Sequence, residues 1–456
     1  MKINHFLVIL CLLPGLAAAQ DSAGTMSLRQ CLDHSLENNA KIQKDRLAIE
    51  SAAQSKREVV GGLLPQIGAS GSSTYNIQKT TFAMPNFVNK MMPESMQDPN
   101  APKYMTVTMG MDLSANWGFS LTQQLVNFSL FNAVSIAKSA EEMSEMGLMA
   151  DSEELIAQTT SLYYNAQVIE YSIGLFDESL AVIDRMARIM EANRENGLVR
   201  DVDAKRIEVT RMNMETERSS LVQALEVQKN LLKLQMGFPM SEDIRVELLD
   251  QDQVESMIFM ESMRRFSAEE QTPYRMLKQQ QSMLQLQKKA ARSELLPVVM
   301  LNANYSQNYM GDHFYGETYH RFPVSMISLN FKVPVFSGFS KNAKIKKAGI
   351  ELQKSIEDER ALKESLTMGY SNARMQMDQN RSSIISQKRN QKLAQEVLEV
   401  TESNYKEGLS SLTDVLNATS SLVQAQMNYV NALNSCVKAY IDLKKAEGTI
   451  NELIKD

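Results

Sequence analysis

Cysteine and histidine are nearly absent from this chain: three and four, respectively, in 456 residues. So sparse a set excludes a disulfide-framed fold and leaves little from which to build a transition-metal centre. Cys11 lies in an N-terminal apolar run, so Cys31 and Cys436 are the only candidates for a single bridge. The alternative, preferred for Cys436, is a small hydrophobe packed in a helix seam. Proline is also scarce, with 11 in all and none in residues 131–196 or 340–407, so nothing there breaks a long helix. A basic excess is missing too: 48 Lys+Arg against 54 Asp+Glu give a net charge of -6, which argues against nucleic acid as a partner. No segment beyond the N-terminus has the ~18–20 consecutive apolar residues of a membrane helix. The zinc-protease, C-x-x-C, P-loop and nucleophile-elbow motifs are all lacking, and no catalytic constellation replaces them. His313 and His320, with Asp312 and Glu317, are the one group to weigh as a metal site; solvated loop residues are the expected reading. The expectation is therefore a non-enzyme without cofactor or metal.

What is present begins with a leader. Lys2, the apolar run Phe6 to Leu13 and Ala17-Ala18-Ala19 form a secretory signal over residues 1–19, with the exported protein starting near Gln20. Export without a membrane helix leaves a β-barrel as the route to membrane residence.

The rest of the chain repeats itself. Leu63-Leu64-Pro65-Gln66-Ile67 is echoed by Leu295-Leu296-Pro297-Val298-Val299. Ser120-Leu121 through Asn127-Phe128-Ser129 aligns with Ser328-Leu329 through Val335-Phe336-Ser337. Gly197 and Gly237 align with Gly408 and Gly448. Two tandem copies of helix, strand, loop, strand and long helices follow, over residues 20–237 and 266–456, with a linker segment at 238–265. The first copy has a longer loop, Gln78 to Lys103. It also has Val126 where the second has Pro334, which predicts a softer strand-to-helix corner.

Strands are predicted at 63–77, 105–125, 295–309 and 321–335. From Met105 to Leu121 apolar and polar residues alternate over ~17 positions, the pattern of a strand with one face in an apolar medium. In the second copy Ile327, Leu329, Phe331 and Val333 oppose Ser328, Asn330 and Lys332. A sandwich strand with one wet face is the alternative. The helices carry seven-residue repeats, with long helices predicted at 338–454 in the second copy. Leu155, Leu162, Ile169, Phe176, Ile183 and Met190 form one seam. Val415, Leu422, Tyr429, Cys436, Leu443 and Ile450 form another, with Ala418, Ala425, Ala432, Ala439 and Ala446 between them. Such repeats pack knobs into holes. The 30 methionines are read as gap-fillers at seam and lipid-facing positions. Four strands cannot close a barrel, so several copies must share one.

The tandem order, the Leu-Pro strand entries, Val333-Pro334-Val335-Phe336-Ser337-Gly338, and Tyr405-Lys406-Glu407-Gly408-Leu409-Ser410-Ser411-Leu412-Thr413-Asp414-Val415-Leu416-Asn417-Ala418 resemble TolC-type outer-membrane efflux proteins over nearly the whole exported chain. The resemblance implies an α+β membrane protein: a homotrimeric 12-stranded β-barrel, four strands per protomer, continued by an α-helical coiled-coil barrel through the periplasm. It implies an exit channel for efflux or type I secretion in the cell outer membrane, partnered by outer-membrane lipid, a periplasmic membrane-fusion adaptor and, indirectly, an inner-membrane pump. A structural coiled-coil envelope protein and a periplasmic adaptor subunit are the rivals. At the periplasmic tip the resemblance places gate aspartates at Asp414 and at Asn417, where this chain departs. It places inter-coil links at Asp203 and Tyr405, with Ser410 standing where an arginine is expected and Arg200 near the equivalent turn. Gly197, Leu198 and Val199, with Gly408, Leu409 and Ser410, match the adaptor-docking turns. Asp414 has a second reading, as a carboxylate favouring the dipole of its helix.

Overall fold

The computed structural model describes residues 25–196, 200–259, 266–313 and 320–454; the leader lies outside them. The elements run β1 (Thr25–Met26), α1 (Leu28–Asn38), α2 (Ala40–Gly61), β2 (Gln66–Tyr75), β3 (Thr80–Pro85), α3 (Phe87–Met91), β4 (Tyr104–Met109), β5 (Leu113–Val126), α4 (Phe128–Glu195), α5 (Asp201–Met236), β6 (Arg245–Val246), α6 (Gln251–Phe259), α7 (Thr272–Ser293), β7 (Val298–Gly311), β8 (His320–Lys332), α8 (Ser340–Lys406) and α9 (Leu412–Glu447). They divide into two compact units. One holds residues 47–146 and 276–360, the other the remainder.

The first unit contains an antiparallel sheet in the order β2-β5-β7-β8. Its register sorts the side chains, because directly paired residues share a face. Ile67 pairs with Leu121, Leu121 with Ala303 and Ala303 with Ile327; two residues along, Leu301 pairs with Leu329. The set between reads Gly68, Ser120, Asn304 and Met326, mostly small or polar. Period-two alternation thus yields one apolar and one polar face. Among the described residues nothing covers the apolar face: Ile327 is 79% and Phe331 69% exposed. The two edges, β2 and β8, are also unpaired among the described residues.

One expectation fails here. Residues 105–125 do not form a single strand. The chain breaks at Gly110, whose φ of 111° lies in the region that favours glycine. Residues 104–109 pair instead with β3 in a separate two-stranded ribbon, Met84 opposite Met105. The segment 78–103, read as loop, therefore holds β3 and α3. Exposed Met91, Met92, Met96 and Met109 sit on this excursion rather than at a seam or in the four-stranded sheet. Lys79 Nζ lies 3.2 Å from Asp112 and 3.1 Å from Asp312, tying the base of the ribbon to the end of β7.

The two strand-to-helix corners differ as their sequences do. Without a proline, β5 slips register between Gln124 and Val126 and passes to α4 through Asn127 alone. The Asn127 side chain accepts from the N–H groups of Ser129 and Leu130, so this corner is pinned by a cap rather than by a fixed φ. The second corner spans residues 333–339 and needs two left-handed residues, Gly338 and Phe339.

In the second unit the seven-residue seams are buried. Val415, Leu422, Tyr429, Cys436 and Ile450 are all under 5% exposed, and Ala418, Ala425, Ala432 and Ala439 fill the alternate positions. Burying each large seam side chain contributes roughly 1.5–3 kcal/mol. Residues 238–259 are more than a linker: Ile244, Val246, Val254 and Ile258 are core, β6 pairs in parallel with β1, and Val254 and Ile258 join Tyr429 and Leu433. Cys31 and Cys436 are free, fully buried and in different clusters. Burial pushes the thiols up to about 12 and about 11, which suits packing and not chemistry.

The repeat extends to helix ends. Gly237 and Gly448 both take the left-handed conformation and close α5 and α9 with paired N–H bonds to the last turn. A Cβ on Gly237 would lie 2.5 Å from the carbonyl oxygen of Asn38. Gly237→Ala should therefore cost about 2–4 kcal/mol and lower the melting temperature. Gly147→Ala, mid-helix with nothing within 4 Å, should raise stability by about 0.5–1 kcal/mol. Equal effects in calorimetry would refute this account of the caps.

Candidate gate and docking turns at the coil end

The turn between α8 and α9 follows from three residues. Gly408, at φ 73°, donates its N–H to Tyr405 O (3.1 Å) while the Leu409 N–H reaches Asn404 O (2.8 Å), a two-bond glycine cap. Leu409 is left 73% exposed, and Ser410 is half-buried. Ser411 then caps α9: its Oγ accepts from the Asp414 N–H at 3.2 Å, and its N–H donates to Asp414 Oδ2 at 2.8 Å. Beneath the turn Leu412, Val415 and Leu422 of α9 pack with Ile183 and Met190 of α4, Ile207 of α5 and Leu398 of α8, so four helices fix its position.

Asp414 is therefore engaged. The Ser411 hydroxyl and N–H together hold its carboxyl below the ordinary carboxylate range. The helix-cap reading is realised, and the carboxylate stays exposed and charged at neutral pH. Asn417 is exposed one turn further along the same helix. Because the folded-state value is depressed, the stabilisation exists above the ordinary range and disappears as pH falls through the folded value. Ser411→Ala should thus destabilise most at neutral pH, and its melting temperature should converge on that of the parent below about pH 3. A gap independent of pH would exclude this coupling.

Asp203 and Tyr405 are near each other but not bonded among the described residues. Tyr405 Oη donates to Met190 Sδ at 3.6 Å, and burial first, then the Asp203 charge, push its hydroxyl up. Asp203 is instead clamped by Arg200 Nε at 2.8 Å and approached by Arg206 Nη1 at 3.7 Å. Arg206 Nη1 also lies 3.5 Å from Thr413 Oγ1, beside Asp414. Sequence reading missed Arg206; its spacing of three from Asp203 was the available signal. Gly197, Leu198 and Val199 lie outside the described residues. The end of α4 and the start of α5 flank an open groove of about 750 Å³ with alternating charge, Arg188, Glu191, Arg194, Asp201, Lys205 and Glu208 among its lining.

An amphipathic sheet with an uncovered apolar face and heptad-packed helices ending in tight turns define the fold of an outer-membrane channel subunit. The comparisons agree. Residues 275–449 match the family model described as outer membrane efflux protein. Outer membrane protein TolC of Escherichia coli (strain K12) is 21% identical over 445 residues, covering 93% of this chain and 83% of that protein. Among solved structures, the outer membrane protein VceC of Vibrio cholerae superposes with a TM-score of 0.69 at 16% identity, covering 92% of this chain and 96% of that one. The MtrE outer membrane channel of Neisseria gonorrhoeae gives 0.72 at 18% identity, covering 92% and 88%. The chain is thus similar over most of its length to TolC-type outer-membrane efflux proteins and shares the fold of solved outer-membrane channels.

Proposed function

We propose that three copies of this chain form the exit duct of a tripartite efflux or type I secretion system, passively conducting substrate from an inner-membrane pump and periplasmic adaptor to the exterior. The observation that carries the shared barrel is the sheet with two free edges and a bare apolar face. Hydrocarbon does not tolerate unpaired edges. With all three pairings antiparallel, β8 of one copy runs opposite to β2 of the next and can close the ring. Three copies, giving twelve strands, come from the family resemblance. In this reading residues 1–19 are the leader, and 20–237 and 266–456 are tandem halves around 238–265. Asp414 and Asn417 form the tip rings, with Asp203 and Tyr405 beside them. The turns Gly197, Leu198, Val199 and Gly408, Leu409, Ser410 receive the adaptor, Leu409 as an exposed knob.

The test is fractionation. The protein should run from the outer membrane as a detergent-resistant trimer that becomes a monomer on boiling. A monomer in the soluble periplasm would sink the shared barrel.

A further inference from the structure

The two strand-to-helix corners occupy equivalent places in the repeat but carry different charge. In the first, Lys56 pairs with Glu141 and Lys138 with Glu142, and Glu145 adds a further carboxylate. Neither α4 nor α8 has an acid in its first turn, but α4 carries no charged residue over 128–137, whereas α8 opens with Lys341, Lys344, Lys346 and Lys347. Cations at a helix N-terminus oppose the macrodipole. A local rule broken without compensation marks a functional position.

The end of α7 adds Lys288, Lys289 and Arg292. The two ends meet: Lys344 pairs with Glu294, Lys341 donates to the Glu294 carbonyl, and Lys288 Nζ lies 3.6 Å from where a Gly349 Cβ would stand. Glu294 is the one acid between them. Lys289, Arg292, Lys346 and Lys347 are exposed and have no ion-pair partner among the described residues. In the segment between β8 and the start of α8, Val335, Phe336 and Phe339 are 94%, 75% and 72% exposed, and the two rings meet edge to face at 5.5 Å.

Apolar rings next to unpaired cations, just beyond a lipid-facing strand, match the interface between acyl chains and anionic headgroups. We propose that the second-repeat corner is a binding site for anionic glycerophospholipid headgroups of the periplasmic leaflet, and that the first-repeat corner is not. The phosphate supplies the negative charge that the start of α8 lacks, while Phe336 and Phe339 lie among the upper acyl carbons. The assignment rests on the outer-membrane placement of the barrel.

The experiment reconstitutes the full-length channel in phosphatidylethanolamine vesicles and measures association of spin-labelled phosphatidylglycerol against spin-labelled phosphatidylethanolamine. The parent should prefer phosphatidylglycerol by on the order of tenfold. Combined Lys289→Gln, Lys346→Gln and Lys347→Gln should bring the two lipids to parity. Lys205→Gln, Lys229→Gln and Lys388→Gln, removing equal charge from the other unit, should leave the preference intact. No preference in the parent, none lost in the first variant, or equal loss in the second would overturn the site. Erasure of the preference by inorganic phosphate at constant ionic strength would make it a free-anion site and overturn the lipid assignment. Failure to enter the bilayer at all would strike the membrane placement, whereas insertion without selectivity strikes only this inference.

Discussion

Gly118→Val should abolish the membrane-inserted form of the protein while leaving its helices able to form. Gly118 sits in the middle of β5, opposite Ser306 of β7. A Cβ there would lie 2.3 Å from the carbonyl oxygen of Tyr305 and 2.8 Å from the Ser306 Cα. Both neighbours are backbone, so neither can rotate away, and a side chain at 118 requires the central pairing of the sheet to open. Overpacking a rigid site costs about 1–3 kcal/mol, and loss of flanking ladder bonds adds to it, so a total above about 4 kcal/mol is expected. A controlled contrast exists within the same sheet. The nearest atom to a Cβ on Gly68 is the Ser120 Oγ at 3.4 Å, and on Gly71 the Asn116 carbonyl oxygen at 3.5 Å. Gly68→Ala and Gly71→Ala should therefore insert and resist detergent as the parent does. Heat-modifiability on gels and protease protection in outer-membrane vesicles read both outcomes. Insertion of Gly118→Val at the parent's level would show that β5 and β7 do not approach as described.

The same sheet shows what a sequence reports and what it does not. Alternation identified its faces, because a period of two is insensitive to the neighbour chosen. That insensitivity is why the break at Gly110 was invisible. Met109, Met111 and Leu113 remain in phase across it, yet the residues before it belong to a ribbon with β3 and those after it to the four-stranded sheet. Seven-residue seams were legible for the opposite reason: each large residue of α9 must find a hole, so Val415, Leu422, Tyr429 and Cys436 could hardly be elsewhere than buried. The cap at Ser411 was written in the spacing of Ser411 and Asp414, and the ion pairs of Asp203 in the positions of Arg200 and Arg206 three residues to either side. That Tyr405 turns to Met190 and not to Asp203 depends on how α8 packs against α4, and no periodicity encodes that. The charge contrast between the two corners was present in the sequence, but it becomes a spatial fact only once Lys288 is seen to reach across to α8.

Asp414→Ala should raise single-channel conductance and weaken block by divalent cations. The carboxylate is exposed, held ionised by the Ser411 hydroxyl and N–H, and set on the first turn of a helix whose seam is fully packed. In the proposed trimer that one charge would recur about the axis, within the ~10 Å over which charges act at ordinary salt, and would concentrate cations at the proposed constriction. Removing it should reduce divalent affinity by about tenfold. Asn417 lies one turn along on the same exposed face, so Asn417→Asp adds a second ring and should strengthen the block by a similar factor. The cap complicates Asp414→Ala, which removes a helix terminus as well as a charge. Asp414→Asn separates the two, because its amide oxygen can still accept from the Ser411 N–H while the charge is gone. If Asp414→Asn behaves as Asp414→Ala in planar bilayers, the charge carries the barrier. If conductance and block change only in Asp414→Ala, the carboxylate serves the fold of the tip and the gate lies elsewhere.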